Sequence, residues 1–148
     1  MSKRDFTLYI ADIFIAINKI QRYTIDISDA ESLKWNEIVW DATIRELEII
    51  GEATRILIES KILENKKYRK IVDFRNIIAH AYFGLDEEEV FSVIKNNLTL
   101  FEEELITLIQ QHHISMQETF LLAIEENKKI LPLTQYLQNL YERCNHAR

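Results

Sequence analysis

The sequence predicts an all-α fold: an antiparallel helical bundle of four to five helices carrying a C-terminal helical extension. Three observations lead there. Apolar residues recur at three- and four-residue intervals over almost the whole chain, the period of a helix with one buried face. Only two glycines and one proline occur in 148 residues, far fewer than turn-rich β architecture or low-complexity sequence requires. The chain is 47% hydrophobic and 28% charged, a balance that suits a folded domain and excludes a disordered one. A chain of this length buries roughly 70% of its unfolded surface, enough for a core without metal or disulfide. Cys144 is the single cysteine, so no intramolecular disulfide forms and a reducing compartment is expected.

Taken in order along the chain, Phe6, Tyr9, Ile10, Ile13, Phe14, Ile17 and Ile20 form one stripe and predict a first helix over about 4–22. Asp29 or Ser32 suits the N-terminal cap of the next helix. Residues from about 33 to 61 read as one long helix or two closely joined, with Trp40, Ile44, Leu47, Ile50 and Ile58 inward. Asp41, Arg45, Glu48, Glu52, Arg55 and Glu59 form a polar stripe on another face, read as solvated and supported by pairs such as Asp41–Arg45. Gly51 costs about 1 kcal/mol relative to alanine inside a helix, which points to a close helix–helix approach there. A helix over about 67–82 turns Ile71, Phe74 and Ile78 inward, and Gly84 suits its C-terminal cap. Asp86 with Glu89 fits a capping box, opening a helix over about 87–110 through Val90, Ile94, Leu98, Phe101, Leu105 and Leu108. Two shorter helices, about 115–129 and 133–143, complete the chain, with Pro132 in a first turn where proline is tolerated. Residues 1–110 are read as the bundle and 111–148 as its extension.

No stretch nears the ~20 apolar residues of a membrane span, and the N-terminus lacks the pattern of a secretion signal. No membrane association and a cytoplasmic location are expected. The net charge of −6 does not by itself suggest a nucleic-acid binder. The distribution does more. Residues 61–75 hold six cations (Lys61, Lys66, Lys67, Arg69, Lys70 and Arg75) against Glu64 and Asp73. Within this basic island Lys66, Lys67, Arg69 and Lys70 are candidate anchors for RNA phosphates. The carboxylate runs 87–89 and 102–104 read as solvated helix faces. His112 and His113 are adjacent, hence about 100° apart on a helix. With no further ligand cluster beside them, neither a metal nor another cofactor is expected.

The residues richest in chemistry come directly after the island: Phe74-Arg75-Asn76-Ile77-Ile78-Ala79-His80-Ala81-Tyr82. On a helix, Asn76 and His80 are one turn apart, whereas Arg75 and His80 differ by about 140°. The two converge if the helix loosens near His80, or if two copies of it meet across a symmetric dimer. Such groups suit RNA cleavage without metal, in which a 2′-hydroxyl attacks its own phosphate. Histidine titrates in the range for proton transfer. Arginine offers a planar fork to phosphate oxygens. Asparagine orients either group, and Tyr82 is able to stack a base. A helix C-terminus favours a cation, which suits His80 to a general-acid or phosphate-binding role.

This segment resembles the Arg-x4-His-x-Tyr motif of the HEPN superfamily, and it is most similar to the HepT toxins of toxin–antitoxin pairs. Asp41-Ala42-Thr43-Ile44-Arg45-Glu46-Leu47-Glu48-Ile49-Ile50-Gly51-Glu52-Ala53 and Tyr82-Phe83-Gly84-Leu85-Asp86 resemble that family too. The resemblance covers roughly residues 4–110; the tail beyond 111 departs from it. It implies a HEPN-like bundle, a homodimer with its cleft at the interface, and metal-independent RNA endonuclease activity. It assigns Arg75 and His80 as catalytic, with Asn76 as their polar neighbour. It further implies an MntA-like nucleotidyltransferase antitoxin that attaches AMP to Tyr82, placing a bulky anion beside the phosphate site. A second reading keeps the partner but not the chemistry: a non-catalytic helical adaptor presenting the same face to a nucleotidyltransferase.

Overall fold

The computed structural model describes residues 5–80 and 84–145, and among them every regular element is helical. Helix α1 (Phe6–Tyr23) opens where the Asp5 side chain accepts from the Thr7 N–H at 2.9 Å. Ile10, Ile13, Phe14, Ile17 and Ile20 are fully buried along it, so α1 forms the centre of the core. Asp29 caps α2 (Ala30–Trp35) by accepting from the Ser32 N–H at 2.7 Å. The stretch predicted as one helix or two is two, broken at Asn36. That residue leaves helical geometry, and its side chain caps α3 (Glu37–Glu59) at the Val39 N–H, 3.2 Å away.

Helix α3 packs most extensively on α1 and on α4 (Asn65–His80). Next come α5 (Glu87–Ser92), a π-helical turn (Val93–Asn97) and α6 (Leu98–Gln111), so the single helix expected from about 87 to 110 carries a bulge near its start. The Asp86 side chain does cap α5, through the Glu88 N–H at 2.9 Å. Glycine is not what ends the helices here. Gly84 has no positive φ, whereas Lys61 (φ 62°) and His113 (φ 50°) take the left-handed position. After α3, Ile62 N–H bonds Leu57 C=O and Lys61 N–H bonds Ile58 C=O; after α6, Ile114 N–H bonds Ile109 C=O and His113 N–H bonds Gln110 C=O. Both are Schellman motifs built on a residue with a side chain.

The tail folds back on the bundle as α7 (Gln117–Glu126) and α8 (Leu131–Asn145). Phe120 packs on Phe14 with ring centroids 6.1 Å apart. Thr119 shares a buried 2.6 Å hydrogen bond with Thr7, and Leu133, Leu137 and Leu140 are buried. The Tyr136 hydroxyl donates to Glu102, and Arg143 pairs with Glu103 at 3.0 Å. The 102–104 carboxylates are therefore not a bare solvated face: Glu102 is partly buried with its carboxyl raised above the usual range by that burial, and Glu104 faces Lys67 at 3.6 Å. Burial likewise pushes the Cys144 thiol up to about 11, which keeps it unreactive. Trp40 is half-buried, but Trp35 is 72% exposed and no part of the core. Among the described residues no helix is long and apolar enough to cross a membrane.

Candidate functional site

Helix α4 carries the candidate residues. Tyr68, Val72 and Ile78 anchor its inner face. Arg75 lies one step off that face, and Gly51 of α3 is what lets it lie there. A Cβ built on Gly51 would overlap the Arg75 Cβ and come within 2.5 Å of its Cγ. The close approach expected from Gly51 is thus a side chain crossing a bare helix backbone.

The Arg75 side chain is one-third exposed. Its Nη1 donates to Asn76 Oδ1 at 3.3 Å, and its Nη2 lies 3.7 Å from Glu52 Oε2. Its Nε is buried with no hydrogen-bond partner among the described residues. Glu52 is gripped in turn by Arg55, Nη2 to Oε1 at 2.5 Å and Nε to Oε2 at 3.2 Å, and Arg55 also donates to Glu59 at 2.7 Å. The hydrogen bonds from Arg55 hold the Glu52 carboxyl below its usual range. These ion pairs replace the expected Asp41–Arg45 pair. The stripe is open to solvent as expected, and its Arg45, Glu48 and Glu52 also line an open recess of about 450 Å³ together with Tyr9, Asp12 and Arg75 among others.

Arg75 and Asn76 are brought together. His80 is the last residue of α4 and exposed, and among the described residues no hydrogen bond joins it to either. Since α4 is unbroken from Arg75 to His80, the helix does not loosen before His80, and the two side chains diverge by about 140°. Tyr82 lies outside the described residues. The basic island is exposed on the first turns of α4, and its members differ. Lys67 faces Glu104 and Arg69 pairs with Asp73 at 3.2 Å, while among the described residues Lys66 and Lys70 have no ion pair. Lys70 also edges an apolar slot of about 200 Å³ that Ile50, Phe74 and Val93 help to line. Among the described residues no group of three or more His, Cys, Asp or Glu side chains is placed to hold a metal.

The sequence reading missed Glu52 as a neighbour of Arg75 and Arg55 as the residue that holds Glu52. The signal was present in Gly51 directly before Glu52: the glycine that admits another helix's side chain sets the next residue beside that side chain's head.

Fold and side-chain set together define the class, an all-helical HEPN bundle with arginine, asparagine and histidine on one helix. The ribonuclease HepT-like family model matches residues 13–108, and the chain belongs to that family. By that membership it is a ribonuclease. Methanocaldococcus jannaschii has a "Putative RNase" that is 34% identical over 106 residues, covering 70% of this chain and 96% of that protein. The same organism's "Gamma-glutamylcyclotransferase and putative RNase" is 28% identical over 111 residues, 74% of this chain and 50% of that longer protein. A "Probable ribonuclease HepT" of Thermococcus cleftensis is 31% identical over 98 residues, 65% of this chain and 88% of its own length. No solved structure matches the chain.

Proposed function

We propose that the chain is the toxin of a toxin–antitoxin pair, a metal-independent RNA endonuclease acting through Arg75, Asn76 and His80. Arg75 binds the scissile phosphate through the outer N–H groups of its fork. The substrate's 2′-oxygen bonds to phosphorus as the bond from phosphorus to the 5′-oxygen breaks. The 2′-hydroxyl gives its proton to solvent water, and His80 donates one to the 5′-oxygen and regains it from solvent. Asn76 holds the guanidinium. Because α4 points Arg75 and His80 apart, the working cleft forms between two copies of the chain, each offering one group to the other.

The observation that carries this reading is the Arg75 guanidinium, partly exposed, bonded to Asn76, and set on the rim of a charged recess in a member of the ribonuclease HepT-like family. The basic island supports it. Lys66, Lys67, Arg69 and Lys70 crowd the N-terminal turns of α4, where the helix dipole disfavours cations. Lys67 and Arg69 have carboxylate partners there, but Lys66 and Lys70 have none among the described residues, and an anionic partner such as RNA accounts for those two.

Silencing is assigned to AMP added to Tyr82 by an MntA-like nucleotidyltransferase. The modification would place a bulky anion two residues from His80 and repel RNA. Expression in cells tests the whole reading. Wild type should arrest growth, while His80→Ala and Arg75→Ala should be tolerated; three folded proteins with the same effect would contradict it. Incubation with the partner and ATP should add mass in AMP units, and Tyr82→Phe should abolish that addition.

A further inference from the structure

We propose that Glu52 is the positioning residue for Arg75, holding its guanidinium in the orientation that receives the phosphate. This rests on the assignment of Arg75 to phosphate binding made above. Nε of Arg75, the N–H nearest the stem and the usual first anchor of a guanidinium, is buried and has no partner among the described residues. The stem is wedged over Gly51, so it fixes where the head emerges but not how its plane is turned. Among the described residues two neighbours set the plane, Asn76 Oδ1 on Nη1 at 3.3 Å and Glu52 Oε2 near Nη2 at 3.7 Å. Asn76 takes one hydrogen of Nη1, and the Glu52 carboxylate lies within ion-pair reach of Nη2, so both terminal nitrogens keep an N–H to offer to phosphate oxygens.

Glu52 is itself fixed. Arg55 binds both of its oxygens and also reaches Glu59. Charges of alternating sign run Glu59, Arg55, Glu52 along α3 and end on Arg75 of α4. A bare carboxylate beside a phosphate site would repel the substrate, but Glu52 has both of its oxygens bound by Arg55. Asn76 adjoins Arg75 on its own helix and moves with it, so Glu52 is the anchor that ties the guanidinium to a second helix. The Glu52 and Arg75 side chains are 41% and 33% exposed, and ion pairs so open to solvent add little to stability. Loss of Glu52 should therefore be felt in the rate rather than in the melting temperature.

The test is steady-state cleavage of a mixed-sequence single-stranded RNA bearing a fluorophore and quencher, in EDTA, by the full chain, with thermal melts alongside. Arg75→Ala should be inactive. Glu52→Gln should melt within a few degrees of wild type and lose on the order of 10²-fold in kcat with KM little changed, as a misplaced catalytic group does. Glu52→Asp keeps the charge on a shorter stem and should recover part of that loss. In an Arg75→Lys background, which lacks the fork, Glu52→Gln should cost nothing further. Wild-type kcat in Glu52→Gln beside an inactive Arg75→Ala would overturn the proposal. So would a loss repeated in full in the Arg75→Lys background, or one that tracks a large fall in melting temperature. Full activity in Arg75→Ala would instead remove the phosphate-binding assignment beneath it.

Discussion

Gly51 and Glu46 on α3 show how single residues tune the site and the stability of the chain. At Gly51 the space of the missing side chain is filled by the Arg75 stem. Gly51→Ala must push α4 outward or force Arg75 off its rotamer, a strain of about 1–3 kcal/mol. Its melting temperature should fall and cleavage should drop with it; an unchanged variant would show that Arg75 does not need this crossing. Glu46 is 5% exposed. Burial raises its carboxyl above the usual range, with Lys19 and Arg45 pulling the other way. A carboxyl raised on folding binds its proton more tightly in the native state, so it favours the fold at low pH and weakens it as pH rises through the carboxylate range. Glu46→Gln should therefore melt higher than wild type at pH 7, by a margin that shrinks as pH falls toward the ordinary carboxylate value and is gone below about pH 4.5. A constant margin would contradict the linkage.

At the scale of elements, the helices are set by the apolar period, and their ends are not. The stripe from Phe6 to Ile20 predicted α1 because a core-facing helix repeats its buried residues whatever else happens. Asp29 and Asp86 cap as expected, since an acceptor ahead of three free N–H groups has a local job. The C-termini were illegible because glycine is the usual mark of a left-handed turn, while here those turns fall on Lys61 and His113. There the Schellman hydrogen bonds, made with long-range packing already in place, override the preference of the residue. Lys61→Gly should relieve that preference and gain about 0.5–1 kcal/mol, or roughly 1–4 °C in melting temperature for a chain of this size; a fall would mean the lysine stem itself supports the turn. The α2–α3 break at Asn36 was left open by periodicity, because both halves keep one apolar face. The Arg75–Asn76 pairing was half legible: adjacency in sequence placed the two near each other, but only the packing of α3 on α4 brought Glu52 alongside.

For the whole molecule, the separation of Arg75 from His80 on one straight helix is the feature with the largest consequence. On the proposed reading, a site that uses both draws on two chains. Mixing inactive Arg75→Ala with inactive His80→Ala, with time for subunits to exchange, should restore activity toward roughly a quarter of wild type, since half the dimers are mixed and each of those carries one intact site. No recovery in a mixture shown to contain mixed dimers would place the site within one chain. Electrostatics act at the same scale. The chain is acidic overall, so RNA should approach by way of the α4 cations. Lys66→Glu with Lys70→Glu should raise KM severalfold and flatten its dependence on salt, by a slope of about 0.7 for each phosphate no longer neutralised, while leaving kcat nearly unchanged. Equal KM values at low and high salt in both proteins would remove these lysines from the RNA path.

The chemistry of the RNA ends bears most directly on the paired arginine and histidine. Mass spectrometry of fragments made by the purified chain in EDTA should find 2′,3′-cyclic phosphate on one side of each cut and a 5′-hydroxyl on the other. Neither should form with Arg75→Ala or His80→Ala folded to the same melting temperature. Cleavage by His80→Ala at the wild-type rate, or fragments ending in 5′-phosphate, would contradict the account.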